Sequence, residues 1–236
     1  MNIEALHKLF LKYPTVCTDT RKITKDCLFF ALKGEYFNGN TFAKNAIEKG
    51  AKYAIIDKKE AALNESYILV ENVLKTLQEL ANYHRNFLGL KIIALTGSNG
   101  KTTTKELINS VLSKKYKTTA TIGNLNNHIG VPLTLLSMDK ATQIGIVEMG
   151  ANHQKEIEFL CAIAQPDYGY ITNFGKAHLE GFGSIEGVIK GKSELYDFLK
   201  AHDKLVFINA NDTTQVKQLN NYQNSYSFGN NTSNCN

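Results

Sequence analysis

The chain has 236 residues, with 27 Lys and Arg against 22 Asp and Glu, a formal charge of +5, and 43% hydrophobic and 21% charged residues. This is ordinary globular composition, and the length supports one or two domains with their own cores, so a disordered tail and a small disulfide-stapled scaffold are both excluded. Cys17, Cys27, Cys161 and Cys235 are scattered without CxxC or Cys/His spacing, which argues against a zinc site and a secreted disulfide framework.

The N-terminus, MNIEALHKLFLKYPTV, alternates charged and apolar residues, unlike a signal peptide. No stretch approaches the ~18 consecutive apolar residues that span a bilayer. The expectation is a cytoplasmic monomer without membrane insertion. The lysines are dispersed, with no basic run interleaved with aromatics, so the positive charge reads as a solvated surface and not as nucleic-acid binding.

LFFAL at 28–32, YAII at 53–56 and YILV at 67–70 are apolar runs bounded by turn residues, and read as short strands. Thr41 to Gly50 reads as a helix capped by Asn40 or Thr41, with Phe42, Ala46 and Ile47 inward and Gly50 as the left-handed stop. From Asn72 to Leu88 the residues Val73, Leu77, Leu80 and Phe87 form a helical stripe, with His84 on the same face as a packed histidine. Gly89 ends that helix. A domain boundary is placed near 88–90, giving domains at 1–88 and 89–236.

In the second region QIGIVEM (143–149), YGYITN (168–173) and KLVFIN (204–209) read as strands, alternating with helical patterns at 154–164 and 185–200. Few charges on these strands suggest helices over both faces, as in a doubly wound, mostly parallel sheet. The fold class is therefore α/β. After Asn209 the pattern weakens, seven of the 17 residues from Asn220 to Asn236 are Asn, and no terminal element is expected.

The strand IIAL, then Thr96-Gly97-Ser98-Asn99-Gly100-Lys101-Thr102-Thr103, then a helix to about Lys114, is the setting in which a phosphate loop has physical meaning. Glycines let successive N–H groups turn inward, and the helix N-terminus adds its positive end. Lys101 would reach the β/γ-phosphates of a nucleoside triphosphate, and Thr102 would offer its hydroxyl to Mg²⁺; the bland reading is a structural Gly turn. Leu95 breaks the strict GxxxxGK[ST] string, so the assignment rests on the strand–loop–helix context.

Glu148 ends the strand QIGIVEM, so it should emerge at the same carboxyl edge as the loop and suit Mg²⁺ as a hard oxygen ligand. The bland reading is a strand-end Glu facing solvent. His178 lies in the glycine-rich ITNFGKAHLEGFGS, where a structural His is the default. Glu186, Lys190, Lys192 and Glu194 follow on a helix and by default form a solvated face.

These blocks resemble the Mur ligase family, the ATP-dependent amide-forming enzymes of bacterial peptidoglycan synthesis. The resemblance is carried by TGSNGKTTTKEL, GNLNNHIGVPLTLL, VEMGANHQKEIEFL, ITNFGKAHLEGFGSIEGVIKGKSELY and TDTRKITKDCLFFALKGEYFNGNTFAKNAIEKGA. Leu95 is no anomaly in a family whose loop is TGxNGKT. NNHIGVPLTLL, EMGA and ITNFGKAHLEGFGS look like the dipeptide-adding branch, whereas the branch adding the third residue has a DHLD-like motif where this chain has Ala177-His178-Leu179-Glu180.

The resemblance implies UDP-N-acetylmuramoyl-tripeptide and D-Ala-D-Ala as substrates, ATP and Mg²⁺ as cofactors, and an acyl phosphate intermediate. It implies a precursor-binding domain followed by an ATPase domain that here lacks its last part, and a C-terminal ligase domain absent from this chain, which alone is expected not to turn over. It implies that Thr102 and Glu148 serve one Mg²⁺, and His178 with a carbamylated Lys192 a second. Gly97, Ser98, Asn99, Gly100, Lys101, Thr102 and Thr103 would hold ATP. Thr20 and Arg21 stand in the Asp-Ser-Arg motif of the uridine site, and Lys33, Gly34 and Asn38-Gly39-Asn40 in its later part, where Asn38 and Asn40 depart from Asp-Gly-His. The alternatives are a non-catalytic module binding nucleotide or UDP-precursor, or a ligase of the family adding another amino acid.

Overall fold

The computed structural model describes residues 1–176 and 178–230. They divide into two compact units, Met1–Leu88 with Leu135–Ser137, and Gly89–Thr134 with the chain from Met138 onward.

The first unit opens on α1 (Ile3–Lys12), a helix absent from the sequence expectation. Asn2 caps it by accepting a hydrogen bond from the Ala5 N–H, and Leu6, His7 and Phe10 form its buried face. The strands β1 (Val16–Cys17), β2 (Leu28–Phe30), β3 (Tyr53–Ile56) and β4 (Tyr67–Leu69) make a parallel sheet in chain order. Between β2 and β3 a 3-10 turn, Gly39–Phe42, precedes α2 (Ala43–Glu48). The expected helix therefore starts late, and its inner face is Ala43 and Ala46, with Phe42 47% exposed. The cause is Asn38, whose side chain accepts the Asn40 N–H and tightens the entry into a 3-10 turn.

The next helix is α3 (Val73–Leu88). It buries Val73, Leu77, Leu80 and His84, while Phe87 is half exposed. His84 packs edge-on to Phe10, and its Nδ1 lies 3.0 Å from His7 Nε2. His84 is thus a packed histidine.

The chain of the second unit alternates β5 (Lys91–Thr96), α4 (Lys101–Leu112), β6 (Thr118–Ala120), α5 (Gly130–Leu136, of which Leu135 and Leu136 are grouped with the first unit), β7 (Ile144–Glu148), α6 (Glu156–Ala164) and β8 (Tyr168–Ile171). It continues with α7 (Leu179–Phe182), α8 (Ile185–Ala201), β9 (Leu205–Asn209), α9 (Thr213–Leu219) and β10 (Ser225–Phe228). The sheet is parallel, in the order β10-β9-β8-β5-β7-β6. From β5 the chain crosses toward β6, and from the adjacent β8 it crosses the other way toward β9. Ligands in such sheets bind outside the carboxyl ends of strands at this reversal.

The terminal segment corrects the expectation of no element after Asn209. Asp212 caps α9 by accepting the Thr214 and Gln215 N–H groups. Gln215 is fully buried, donating to the Ile171 carbonyl and accepting from the Asn209 N–H and the Tyr196 hydroxyl. A hydropathy pattern does not register an anchor made of a glutamine. Part of the Asn-rich tail, 231–236, lies outside the described residues.

Helices cover both faces of the sheet, less completely at the β8–β10 edge. Gly169, Ile171, Val206 and Ile208 are buried on one side of β8 and β9, with α8 packed there. On the other side Tyr170, Phe207, Tyr226 and Phe228 stay partly exposed, with Tyr170 5.6 Å from Phe228 and Phe207 6.3 Å from Tyr226 between ring centroids. No helix among the described residues is long and apolar enough to cross a membrane.

Candidate functional site

The loop after β5 turns through two glycines in the left-handed half of conformational space, Gly97 at φ 143° and Gly100 at φ 75°. A Cβ on Gly97 would lie 2.0 Å from Thr172 Oγ1, so the position needs glycine for both space and backbone. The loop is pinned to the segment following β8. Ser98 N–H donates to the Asn173 carbonyl, Asn99 N–H to Asn173 Oδ1, the Thr172 hydroxyl to the Asn99 carbonyl and the Ser98 hydroxyl to the Gly175 carbonyl. Gly100 precedes α4 without any side-chain cap, leaving the first-turn N–H groups and the positive helix end for an anion. Gly97→Ala is expected to cost about 1–3 kcal/mol in local strain and to weaken ATP binding, checked by thermal unfolding and nucleotide titration.

Lys101 Nζ donates to the carbonyls of Gly97, at 2.8 Å, and Ser98, at 3.2 Å. Burial lowers its pKa from the ordinary value, and Glu148 pulls it back up. Glu148 is 1% exposed, so it is not the solvent-facing strand end of the bland reading. Its Oε1 accepts from Asn126 Nδ2 at 2.8 Å and from the Thr102 hydroxyl at 3.4 Å. Among the described residues its Oε2 is buried with no hydrogen-bond partner. A buried carboxylate oxygen without a donor is costly, and a carboxylate whose other oxygen meets a threonine hydroxyl at a phosphate loop offers the oxygen donors that Mg²⁺ prefers. The residues fit one Mg²⁺.

Lys101, Asn126, Gly150, Lys155, Glu156 and His178 are among the residues lining a cavity of about 800 Å³. His178 is exposed and left-handed at φ 53°, directly before α7. Its neighbour Ala177 lies outside the described residues.

Lys192 and Glu194 correct the expectation of a solvated face on α8, because both are buried, whereas Lys190 is exposed. The Glu194 carboxylate accepts the Lys155 and Glu158 N–H groups and so caps α6. Lys192 Nζ donates to the Ala151 carbonyl at 2.9 Å and lies 5.1 Å from the centre of the Phe182 ring. Burial and the nearby Lys101 charge push its pKa down to about 8, against Glu156 and Glu194. As an ammonium it has no lone pair for a metal, so the second ion fits only a covalently modified Lys192.

Within the first unit, Arg21 is exposed and forks onto Asp19, with Nη2 2.7 Å from Oδ2. That contact holds the Asp19 carboxyl down at about 2. Thr20 is partly buried, and its carbonyl accepts from Lys49 Nζ. Lys33 pairs with Asp57 at 2.8 Å. Asn40 is buried, donates to Asp57 and accepts the Asp57 N–H. Burial would raise the Asp57 pKa, but the hydrogen bonds from Lys33 and Asn40 bring it below the ordinary value. Gly34 is exposed, and Gly39 and Asn38 shape the turn. Asp57 carried no sequence signal of its own, because a lone Asp after a strand reads as a turn residue.

Residues 95–236 match the Mur ligase middle domain, and residues 12–85 match the Mur ligase family, catalytic domain. The chain belongs to the Mur ligase family. Among Mur ligases it is similar to the UDP-N-acetylmuramoyl-tripeptide–D-alanyl-D-alanine ligase of Bacillus subtilis, 43% identical over 195 residues, covering 82% of this chain and 43% of that one. The Escherichia coli ligase of the same name is 42% identical over 184 residues, covering 78% and 40%. The solved structure of MurF ligase from Thermotoga maritima in complex with ADP superposes with a TM-score of 0.83 at 32% identity, covering 94% of this chain and 52% of that one. A MurF structure from Acinetobacter baumannii gives 0.82 at 36%, covering 92% and 48%. The chain thus spans about half the length of these Mur ligases or less.

Proposed function

We propose that this chain carries the precursor-binding part (1–88) and the ATP-binding part (89–236) of a cytoplasmic ligase that joins D-Ala-D-Ala to UDP-N-acetylmuramoyl-tripeptide. The observation that carries the reading is the buried Glu148 carboxylate at the head of the phosphate loop, with Oε1 reached by the Thr102 hydroxyl and Oε2 left without a hydrogen-bond partner among the described residues. The names of the similar ligases and the ADP in the Thermotoga maritima structure support it.

ATP transfers its γ-phosphoryl group to the terminal carboxylate of the tripeptide, giving ADP and an acyl phosphate. The dipeptide amine then attacks the acyl carbon, loses a proton, forms the amide and expels phosphate. The 97–103 backbone orients the triphosphate, and the Lys101 ammonium exchanges the Gly97 and Ser98 carbonyls for phosphate oxygens. This chemistry rests mainly on positioning and electrostatics. Thr102 and Glu148 would hold one Mg²⁺, which would offset phosphate charge, and His178 with a carbamylated Lys192 would hold a second. Thr20, Arg21, Lys33, Gly34 and Asn38-Gly39-Asn40 form the uridine region, with Asn40 acting through Asp57.

The test is phosphate release by the complete protein. It should need ATP, UDP-N-acetylmuramoyl-tripeptide and D-Ala-D-Ala together; release that ignores the dipeptide, or prefers a single amino acid, rejects the reading. Glu148→Ala should raise the Mg²⁺ concentration needed for half-maximal rate at least tenfold, as expected for loss of a metal-site group, with UDP-precursor binding unchanged by calorimetry.

A further inference from the structure

Asn126 is the closest neighbour of the metal carboxylate, and the reaction outlined above gives it no role. Its main chain is docked at the end of β7, since the Gly150 N–H donates to the Asn126 carbonyl at 2.7 Å. Its side chain lies flat against Gly150, where a Cβ would sit 2.7 Å from Asn126 Oδ1. A residue larger than glycine at position 150 would have to displace the amide from this place. The Nδ2 group then points at Glu148 Oε1 at 2.8 Å. From the opposite end Glu148 is held by its own N–H, which donates to Thr121 Oγ1 at 3.0 Å. The Thr121 carbonyl accepts from the fully buried Lys105 of α4 at 2.6 Å.

We propose that Asn126 is the positioning residue of the metal site: its amide donates to Glu148 Oε1 and so sets the orientation in which the carboxylate meets the cation. The proposal rests on Glu148 as a Mg²⁺ ligand. A carboxamide suits the task because it donates without bringing a positive charge that would compete with the ion, whereas a lysine in its place would form an ion pair and neutralise the ligand. Partners that orient a metal ligand typically govern affinity by about 10–100-fold.

The experiment measures Mn²⁺ binding, as a paramagnetic stand-in for Mg²⁺, to the ADP complex of the whole protein by the loss of the free-ion EPR signal. Metal-free ADP affinity and thermal unfolding are measured alongside. The variants are N126A, N126L and E148Q. N126L keeps the outline of the side chain against Gly150 but removes the donor, so it guards against a simple packing defect.

The expected result is a Mn²⁺ Kd raised about tenfold or more in both Asn126 variants, with metal-free ADP affinity within twofold of wild type. If N126L binds Mn²⁺ as the wild type does while E148Q does not, Asn126 only packs against Gly150 and the proposal falls while the Glu148 reading stands. If E148Q also binds Mn²⁺ normally, the Glu148 reading fails and takes the proposal with it. An equal loss of metal-free ADP binding in the Asn126 variants would likewise overturn it, by making Asn126 a support of the loop.

Discussion

Replacing Lys101 with alanine is expected to lower ATP turnover by the complete protein on the order of 10³-fold, the cost of removing a donor aimed at developing charge in a shielded site. The ammonium already sits at the loop, on the Gly97 and Ser98 carbonyls, so a nucleotide finds the charge in place. Nothing else among the loop side chains from Gly97 to Thr103 is cationic. Removing the side chain leaves the backbone turns intact, because these are fixed by the glycines and by the bonds to Asn173 and Gly175. The variant should therefore unfold near the wild-type temperature and lose turnover alone. Near-normal phosphate release would remove Lys101 from the reaction.

The second large effect is expected at Lys192. A neutral amine can attack CO₂ and lose its N–H proton to give a carbamate, an anionic oxygen ligand of the kind Mg²⁺ prefers. Burial favours that neutral form by pushing the pKa down to about 8. The amine is the reactive form, so at fixed CO₂ pressure modification should increase as pH rises through about 8. A carbamate keeps one N–H, which can retain the bond to the Ala151 carbonyl. Lys192→Ala should reduce activity about 100-fold or more and recover partly with added short carboxylates. Lys190→Ala, at an exposed position, should be mild. Mass spectrometry under CO₂ and rates in bicarbonate-depleted and bicarbonate-rich buffer check this. A Lys192→Ala variant with wild-type rates in both buffers ends the second-metal assignment.

Local chemistry determined a good part of this protein from the sequence alone. Two glycines followed by Lys-Thr between an apolar strand and a helix define an anion-binding turn wherever the chain puts them, because left-handed backbone and an uncapped helix start are properties of a few consecutive residues. The stripe Val73, Leu77, Leu80 and His84 was legible for the same reason, since its period is that of one helix. Strand 144–148 and its terminal Glu148 could be read from hydropathy and from the rule that parallel strands present their ligands at the carboxyl end.

Tertiary structure decided what neighbours on different strands do to one another. Glu148 became buried with one oxygen on Asn126 and the other unpartnered because β7 lies beside β5, a pairing of segments about fifty residues apart. Lys192 and Glu194 read as a charged surface because composition registers charge and not direction. In the fold Glu194 takes two N–H groups of α6, and Lys192 is sealed between Ala151 and Phe182. α9 escaped the hydropathy pattern because its anchor, Gln215, is polar and is buried through partners on β8, β9 and α8, and β10 is held by its parallel pairing with β9. A sequence specifies which hydrogen bonds a side chain can make; only the assembled sheet supplies the partners that make burying it worthwhile.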